Sequence, residues 1–346
     1  MRCARWYGPR TVRIEETPLP TATDDEAVVR VLWTGLCGSD LEEYLHGPVV
    51  ANPPIVLGHE IVGRVEVPAR DGSGPAAGTH VVVDVVSGCG RCYWCQRHAE
   101  GLCPSLRVTG QHVDGGLAEY VVGRASRLIA VPDGLDVRHA ALAEPGAVAV
   151  RAVRQLGSVL GRGAVVVGGG TVGILVAQIL TRLGASHVIV LEPTEWRREV
   201  AGALDLHAAW APDETSRRAL VTRSLPDRGA DLVVECAGAE DAVRESVRLA
   251  RRGGTVVLLG VPVADIAVDI RDIVLGEKQV RGSAAHMWDD DVRTAVGYLA
   301  SGVLKVAPLI THEVSLNQAP TAFEHLADGS RQVLKLLVNC GLDNEP

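Results

Sequence analysis

Cys89, Cys92, Cys95 and Cys103 follow one another with the spacing C-x2-C-x2-C-x7-C. Four thiolates gathered within sixteen residues can close a tetrahedron around one Zn2+. Such a shell leaves no open position for a substrate, so its expected role is to organise a loop rather than to catalyse. A disulfide cluster is the competing reading. Eight cysteines in 346 residues, and an opening Met-Arg-Cys-Ala-Arg-Trp-Tyr without a long apolar leader, argue instead for thiols in a reducing compartment. A cytoplasmic location is expected.

A second set of ligand types lies upstream and downstream of this lobe. Thr34-Gly-Leu-Cys37-Gly-Ser39-Asp40 and Leu57-Gly58-His59-Glu60 offer a thiolate, an imidazole and a carboxylate, and Leu142-Ala-Glu144-Pro145 adds another carboxylate. An open zinc site takes three protein ligands and leaves a fourth position for water or an alcohol, whose hydroxyl it acidifies. Taken singly, Cys37 is more often a buried thiol and His59 more often a satisfied turn histidine, so spacing alone does not assign this site.

The third chemical signal is Ala164-Val-Val-Val-Gly168-Gly-Gly170-Thr171-Val172-Gly173, which puts three glycines in G-x-G-x-x-G register between an apolar strand and a helix. The pattern is weak alone and gains force from Glu192, 19 residues after Gly173 at the end of His187-Val-Ile-Val-Leu. A dinucleotide fold needs a carboxylate there for the ribose hydroxyls. The glycines permit a tight turn and let backbone amides and the helix N-terminus approach a pyrophosphate. Glu192 repels a 2′-phosphate, which predicts NAD over NADP, although Arg197 and Arg198 are near enough to accept one. Glu235-Cys-Ala237-Gly238 and Leu259-Gly260-Val261-Pro262 are expected to wall the nicotinamide, since ligands bind beyond the carboxyl ends of parallel strands. Ordinary strand-ending turns explain these two segments equally well.

The elements that must position these groups fall into two lobes, as 346 residues allow. The first 130 residues read as short strands (26–33, 61–67, 80–86, 118–122) separated by turn-forming segments, a mostly β lobe. From Glu144 onward, fully apolar strands (164–167, 187–191, 231–235, 255–259) alternate with helices, which predicts a parallel sheet covered on both faces. The tail after Met287 returns to mixed polarity, with helices near 290–300 and 316–326 and a last strand at 332–338. The fold class is therefore α/β: a Rossmann doubly wound sheet at 147–286, and a mostly β domain from 1–146 and 287–346. A net charge of −8 with no clustered Lys or Arg argues against a nucleic-acid partner. Every apolar run is broken before about 18 residues, which argues against membrane insertion.

In their order, the Cys37 block, the Gly58-His59-Glu60 block, the four-cysteine lobe and the dinucleotide motif resemble the zinc-containing medium-chain alcohol dehydrogenase superfamily over essentially the whole chain. Within it, Cys37-Gly-Ser-Asp-Leu-Glu-Glu-Tyr-Leu-His-Gly-Pro, Leu57-Gly-His-Glu and Ala143-Glu-Pro are most similar to the polyol branch of butanediol, sorbitol and threonine dehydrogenases. The resemblance implies a GroES-like catalytic domain and two zinc ions per chain, one structural and one catalytic. It also implies NAD-linked interconversion of a secondary alcohol (diol, polyol, cyclitol or amino alcohol) and a ketone. It carries Cys37 and His59 over as catalytic zinc ligands, Glu60 and Glu144 as carboxylates sharing the remaining position, and Ser39 as the first proton-relay hydroxyl. Glu192 and Arg197 match the ribose-binding acid and the basic residue five positions later. A homodimer or homotetramer built through the nucleotide-binding sheet is implied; the alternating residues Val261, Val263, Ile266, Val268 and Ile270 are candidates for its edge strand, and an internal strand explains them nearly as well.

Two departures qualify that picture. Glu42 stands where the branch usually carries the histidine that passes the proton to solvent; Glu42 acting as a base, His46 substituting for it, and Glu42 as a plain solvated helix residue all stay open. Pro145-Gly146-Ala147 and Arg151 replace a bulkier pattern with a histidine, which leaves room for a larger or more anionic substrate. Two other functions fit the same fold: a zinc-independent NADPH reductase of an activated alkene or imine, and a catalytically silent nucleotide-binding protein.

Overall fold

A computed structural model describes residues 1–225, 229–262, 264–287, 290–329 and 332–341. The chain divides into two units, one of Met1–Glu144, His286–Ser301 and Leu309–Pro346, the other of Pro145–Ala285 and Gly302–Pro308. The short return of Gly302–Pro308 to the second unit is fastened by a mutual pair of bonds, Gln178 Nε2 to the Lys305 carbonyl and the Lys305 amide to Gln178 Oε1.

The spine of the first unit is the strand Glu26–Leu36, which is buried over Val29–Val31 and again over Thr34–Leu36. It pairs antiparallel with Glu60–Val67, with Tyr120–Arg124 and with the late strand Lys335–Asn339. Register is what matters for chemistry here. Gly35 lies opposite Glu60 and Leu36 opposite Leu336, so Glu60, Lys335 and the residue that follows the spine, Cys37, arrive at one corner of the sheet. Three further strands, Arg2–Gly8, Thr11–Glu16 and Ile55–Val56, form a separate small sheet that the sequence reading did not anticipate.

From that corner the helix Gly38–His46 starts at Cys37, held by a reciprocal cap in which the Cys37 amide donates to Asp40 Oδ2 at 2.9 Å. The helix is fixed by Tyr44 stacking on Phe323, the chain's single Phe, at 5.1 Å between ring centroids. The four-cysteine lobe is an excursion between Val86–Ser87 and Arg107–Val108, which pair with each other and close its base.

The second unit is a six-stranded parallel sheet of Gly163–Val167, His187–Leu191, His207–Ala209, Ala230–Glu235, Ala250–Leu258 and Gln279–Gly282. Counted along the chain, these strands stand side by side in the order 3-2-1-4-5-6, the doubly wound dinucleotide order, with the switch point beside Gly163–Val167. Val165, Val167, Ile189, Leu191, Val233 and Val256 bury together, which is why these strands lack polar alternation.

The edge strand expected between Gly260 and Ile270 does not form among the described residues, and Val263 lies outside them. The amides of Leu259 and Gly260 are taken by the Glu235 carbonyl, which turns the chain back, and Pro262 has no amide to offer a ladder. The outer strand is Gln279–Gly282, exposed along its length. No helix among the described residues is long and apolar enough to cross a membrane.

Candidate functional site

In the first unit, Asp40 ties the two upstream blocks together. It is 1% exposed; Oδ2 accepts the Cys37 amide, Oδ1 accepts the Gly58 amide at 3.2 Å, and Oδ1 faces His59 Nδ1 at 3.3 Å. Burial raises its carboxyl, but His59 and these amides outweigh burial and hold it below the usual range. His59 is desolvated too, yet Asp40 and the Cys37 thiol raise it well above an ordinary imidazole. Its Nε2 lies 3.4 Å from Ser39 Oγ. Cys37, Ser39 and His59 are thus brought together, and Asp40, present in the motif but given no role from sequence, is what orients them.

Glu60, fully buried, places both oxygens on Lys335 Nζ at 2.6 and 2.8 Å, while Nζ also donates to the Leu36 carbonyl at 3.0 Å. Burial raises Glu60 and Lys335 pulls it back; Lys335 itself, penalised by burial, is raised chiefly by Glu60 and further by Cys37 and Glu144. Cys37, Glu60 and Glu144 therefore share one electrostatic neighbourhood centred on Lys335. Sequence reasoning missed Lys335, although a lone cation within Val333-Leu-Lys-Leu-Leu-Val was a legible signal. Gly35 is obligatory beside this pair, because a Cβ there would lie 1.8 Å from Glu60 Oε2.

Glu144 sits in the first turn of the helix Ala143–Leu156, 8% exposed, with His286 Nε2 at 3.7 Å from its Oε1. Glu42 is exposed on the helix Gly38–His46, as is His46. Arg151 is engaged one turn along its own helix: with the Gln155 amide turned so that its oxygen faces the guanidinium, that oxygen accepts from Nη2 at 2.8 Å and Nε at 3.2 Å.

Cys89, Cys92, Cys95 and Cys103 have their sulfurs within 4.8 Å of one another, the one such ligand group among the described residues. Separations of 3.5 Å (Cys92 to Cys95) and 3.8 Å (Cys92 to Cys103) fit a shared ion rather than a covalent bond. Backbone amides of Arg91 and Cys92 draw the Cys89 thiol down to about 6, while burial and then the neighbouring thiols push Cys95 up to about 12. A set in which ionising one thiol hinders the next is completed by a dication, so the residues fit Zn2+. The donor types of Cys37, His59, Glu60 and Glu144 also fit zinc. Glu60, however, is turned onto Lys335, and the four do not close to the same tight spacing.

In the second unit Gly168 has φ +104°, open to glycine, and Gly173 packs so closely that a Cβ would meet the Gly168 carbonyl at 1.9 Å. Gly170 is the cap residue of the helix Thr171–Arg182, whose first turn carries Val172. Glu192 is buried at the end of its strand: Oε2 accepts the Gly169 amide and Oε1 the Thr194 amide, both at 2.8 Å, with Arg197 Nη1 at 3.8 Å. Arg198 is turned onto the Glu192 and Pro193 carbonyls. Glu235 performs the same service further along, accepting the amides of Ala237 and Gly238 at 2.7 Å and of Gly260 at 3.2 Å. Val261 is 85% exposed.

A doubly wound dinucleotide unit and a β unit carrying a four-thiolate zinc loop define a zinc-type, nucleotide-linked dehydrogenase. Residues 23–133 match the alcohol dehydrogenase GroES-like domain and residues 171–301 the zinc-binding dehydrogenase domain. The chain is 32% identical to D-xylulose reductase A of Aspergillus oryzae over 331 residues, covering 93% of this chain and 92% of that protein. It is 29% identical to sorbitol dehydrogenase of Bacillus subtilis over 346 residues (98% and 97% covered). The crystal structure of a protein from Sinorhizobium meliloti 1021, described as a zinc-binding dehydrogenase and bound to NADP, superposes with TM-score 0.88 at 31% identity, covering 98% of each chain. The chain belongs to the zinc-containing medium-chain alcohol dehydrogenase family, in its polyol branch.

Removing the cation from the buried pair tests its weight. Lys335→Met strands a buried carboxylate and is expected to cost about 3–5 kcal/mol in urea unfolding. Adding Glu60→Gln to Lys335→Met should recover much of that loss. A single variant as stable as the parent would show that Glu60 does not depend on Lys335.

Proposed function

We propose that this chain interconverts a secondary alcohol bearing a neighbouring oxygen or amine and the corresponding ketone, with NAD(H) as the hydride carrier and two zinc ions per chain. The observation that carries this reading is the Asp40-centred cluster, which sets a thiol and an imidazole side by side in a unit that also holds a separate four-thiolate loop. Cys37 and His59 would hold the second zinc, with Glu60 and Glu144 supplying carboxylate. When bound there, zinc provides the Lewis-acid charge that makes an alcohol hydroxyl acidic near neutral pH.

The chain's own residues do the rest. Asp40 fixes the His59 ring so that Nε2 faces outward toward Ser39. Ser39 accepts the alcohol proton as its own hydroxyl proton passes on. Glu42, three residues along the same helical face and exposed, gives that proton its way to solvent. Glu192 and Glu235 hold the glycine turns whose amides receive the dinucleotide, and Glu192 keeps acceptor capacity for ribose hydroxyls. With Arg198 occupied by carbonyls and Glu192 opposing a 2′-phosphate, NAD is the favoured form. With Arg151 held by Gln155, the favoured substrates are neutral diols and polyols rather than carboxylated or phosphorylated ones. The exposed strand Gln279–Gly282, with Ile270, Val274 and Leu275 exposed nearby, supports assembly into a homodimer or homotetramer. A cytoplasmic location accords with unpaired thiols.

Elemental analysis of protein purified without chelator should find two zinc ions per chain, and light scattering two or four chains per particle. Cys37→Ala should lose one zinc and turnover while still binding NADH. A single zinc, lost in Cys89→Ser, would favour the metal-independent reductase. Comparing kcat/KM across nucleotides and across neutral and anionic polyols should favour NAD and the neutral compounds; a clear preference for NADP would sink the assignment to Glu192. Glu42→Gln is expected to lower kcat several-fold with little change in KM, and an unchanged kcat would move the proton exit elsewhere, as to His46.

A further inference from the structure

We infer that His286 is a positioning residue for the Glu144 carboxylate, an inference that rests on the reading of Glu144 as part of the alcohol site. The His286 side chain is fully buried. Its Nδ1 faces Asp84 Oδ1 at 3.8 Å and its Nε2 faces Glu144 Oε1 at 3.7 Å, and neither nitrogen has a hydrogen-bond partner among the described residues. Burying two polar ring atoms is unfavourable, and an apolar side chain would fill the same space without that penalty. A ring buried there with each nitrogen directed at a carboxylate is therefore placed for those carboxylates. Both gaps exceed hydrogen-bond length, so a bond to Glu144 requires the ring or the carboxylate to shift toward the other.

The other end of the arrangement is anchored. Asp84 is itself buried, with Oδ2 receiving Arg127 Nη1 at 3.3 Å and Oδ1 receiving the Val86 amide at 3.1 Å. Arg127 also donates to the Val86 carbonyl. Val86 opens the strand that leads into the four-cysteine lobe, and Gly101 within that lobe packs against the His286 backbone, where a Cβ would lie 3.1 Å from the His286 carbonyl oxygen. Asp84 and the lobe thus flank His286 on one side, and the ring stands between them and Glu144, where it can set the position of that carboxylate. The lobe's zinc loop is connected by this route to a residue of the proposed active site, although it has no open position of its own.

The test is steady-state kinetics on the zinc-loaded enzyme with His286→Leu, His286→Gln, Glu144→Gln and the double variant His286→Leu/Glu144→Gln, each checked for zinc content and thermal unfolding. His286→Leu should lower kcat/KM for the alcohol about tenfold, with KM for NAD and zinc content unchanged. His286→Gln, which keeps a donor near the Nε2 position, should restore most of the activity, and it carries the test if the leucine variant fails to fold. On the Glu144→Gln background, His286→Leu should change kcat/KM by less than about twofold. Fully multiplicative effects of the two substitutions, or an equal loss in His286→Gln and His286→Leu, would overturn the positioning role while leaving Glu144 in the site. A Glu144→Gln variant with parental kcat/KM would instead remove Glu144 from the site, and this inference with it.

Discussion

The catalytic unit is organised around a carboxylate that cannot be left alone. Glu60 has no solvent exposure, and an unpaired charge in that position would cost several kcal/mol, so the fold must deliver a cation to it. It does so with Lys335, 275 residues away in sequence, by running the last strand beside the spine Glu26–Leu36. That requirement fixes the register of three strands together. Shifting any of them by one residue would turn Glu60 or Lys335 to the opposite face of the sheet. Gly35 is part of the same constraint, since no side chain fits between the spine and the Glu60 carboxylate. Cys37 follows the spine directly and His59 precedes Glu60, so the register that satisfies the ion pair also brings the thiol and the imidazole within reach of Asp40.

The dinucleotide unit uses carboxylates differently. Glu192 and Glu235 end parallel strands and accept amides from the loops that follow or adjoin them, rather than pairing closely with a cation. Burial raises Glu235, with the amides of Ala237, Gly238 and Gly260 opposing the rise. Each acid holds glycine backbone in shapes that an apolar strand end would not enforce. Glu192 thereby links recognition of the ribose to the geometry of the phosphate turn, because the residue proposed to receive the hydroxyls is the one that holds Gly169 in place.

What could be read from sequence was what depends on local spacing. Thiolate geometry around an ion and glycine conformations in a turn are both set by residues within one loop, so the four-cysteine lobe and the Gly168–Gly173 turn were legible, as was the alternation of apolar strands with helices. Lys335 and His286 were not read, because their partners are supplied by strand register and chain return rather than by neighbours in sequence. Asp40 was visible inside its motif without its role, since only the folded chain shows that one carboxylate serves both Cys37 and His59. The segment from Gly260 failed for the opposite reason: its alternation of valines and acids resembles a strand, while the Glu235 carbonyl and Pro262 deny it a ladder.

Charge balance ties the site to its proposed chemistry. Glu60 and Lys335 cancel one another, and Asp40 is matched by the His59 imidazole whenever that ring is protonated. Metal ligation requires the imidazole neutral, which leaves the negative charge of Asp40 to be met by the ion through the ring it orients. Cys37 as a ligand thiolate and Glu144 add two more negative charges in the same neighbourhood. Lys335 cannot offset them without abandoning Glu60. The deficit in this corner of the sheet is thus of the sign that a dication offsets and one charge larger than it supplies, so a site holding the metal has no surplus positive charge to attract a phosphate or carboxylate on the substrate. Neutral polyols are the class of alcohol consistent with that balance.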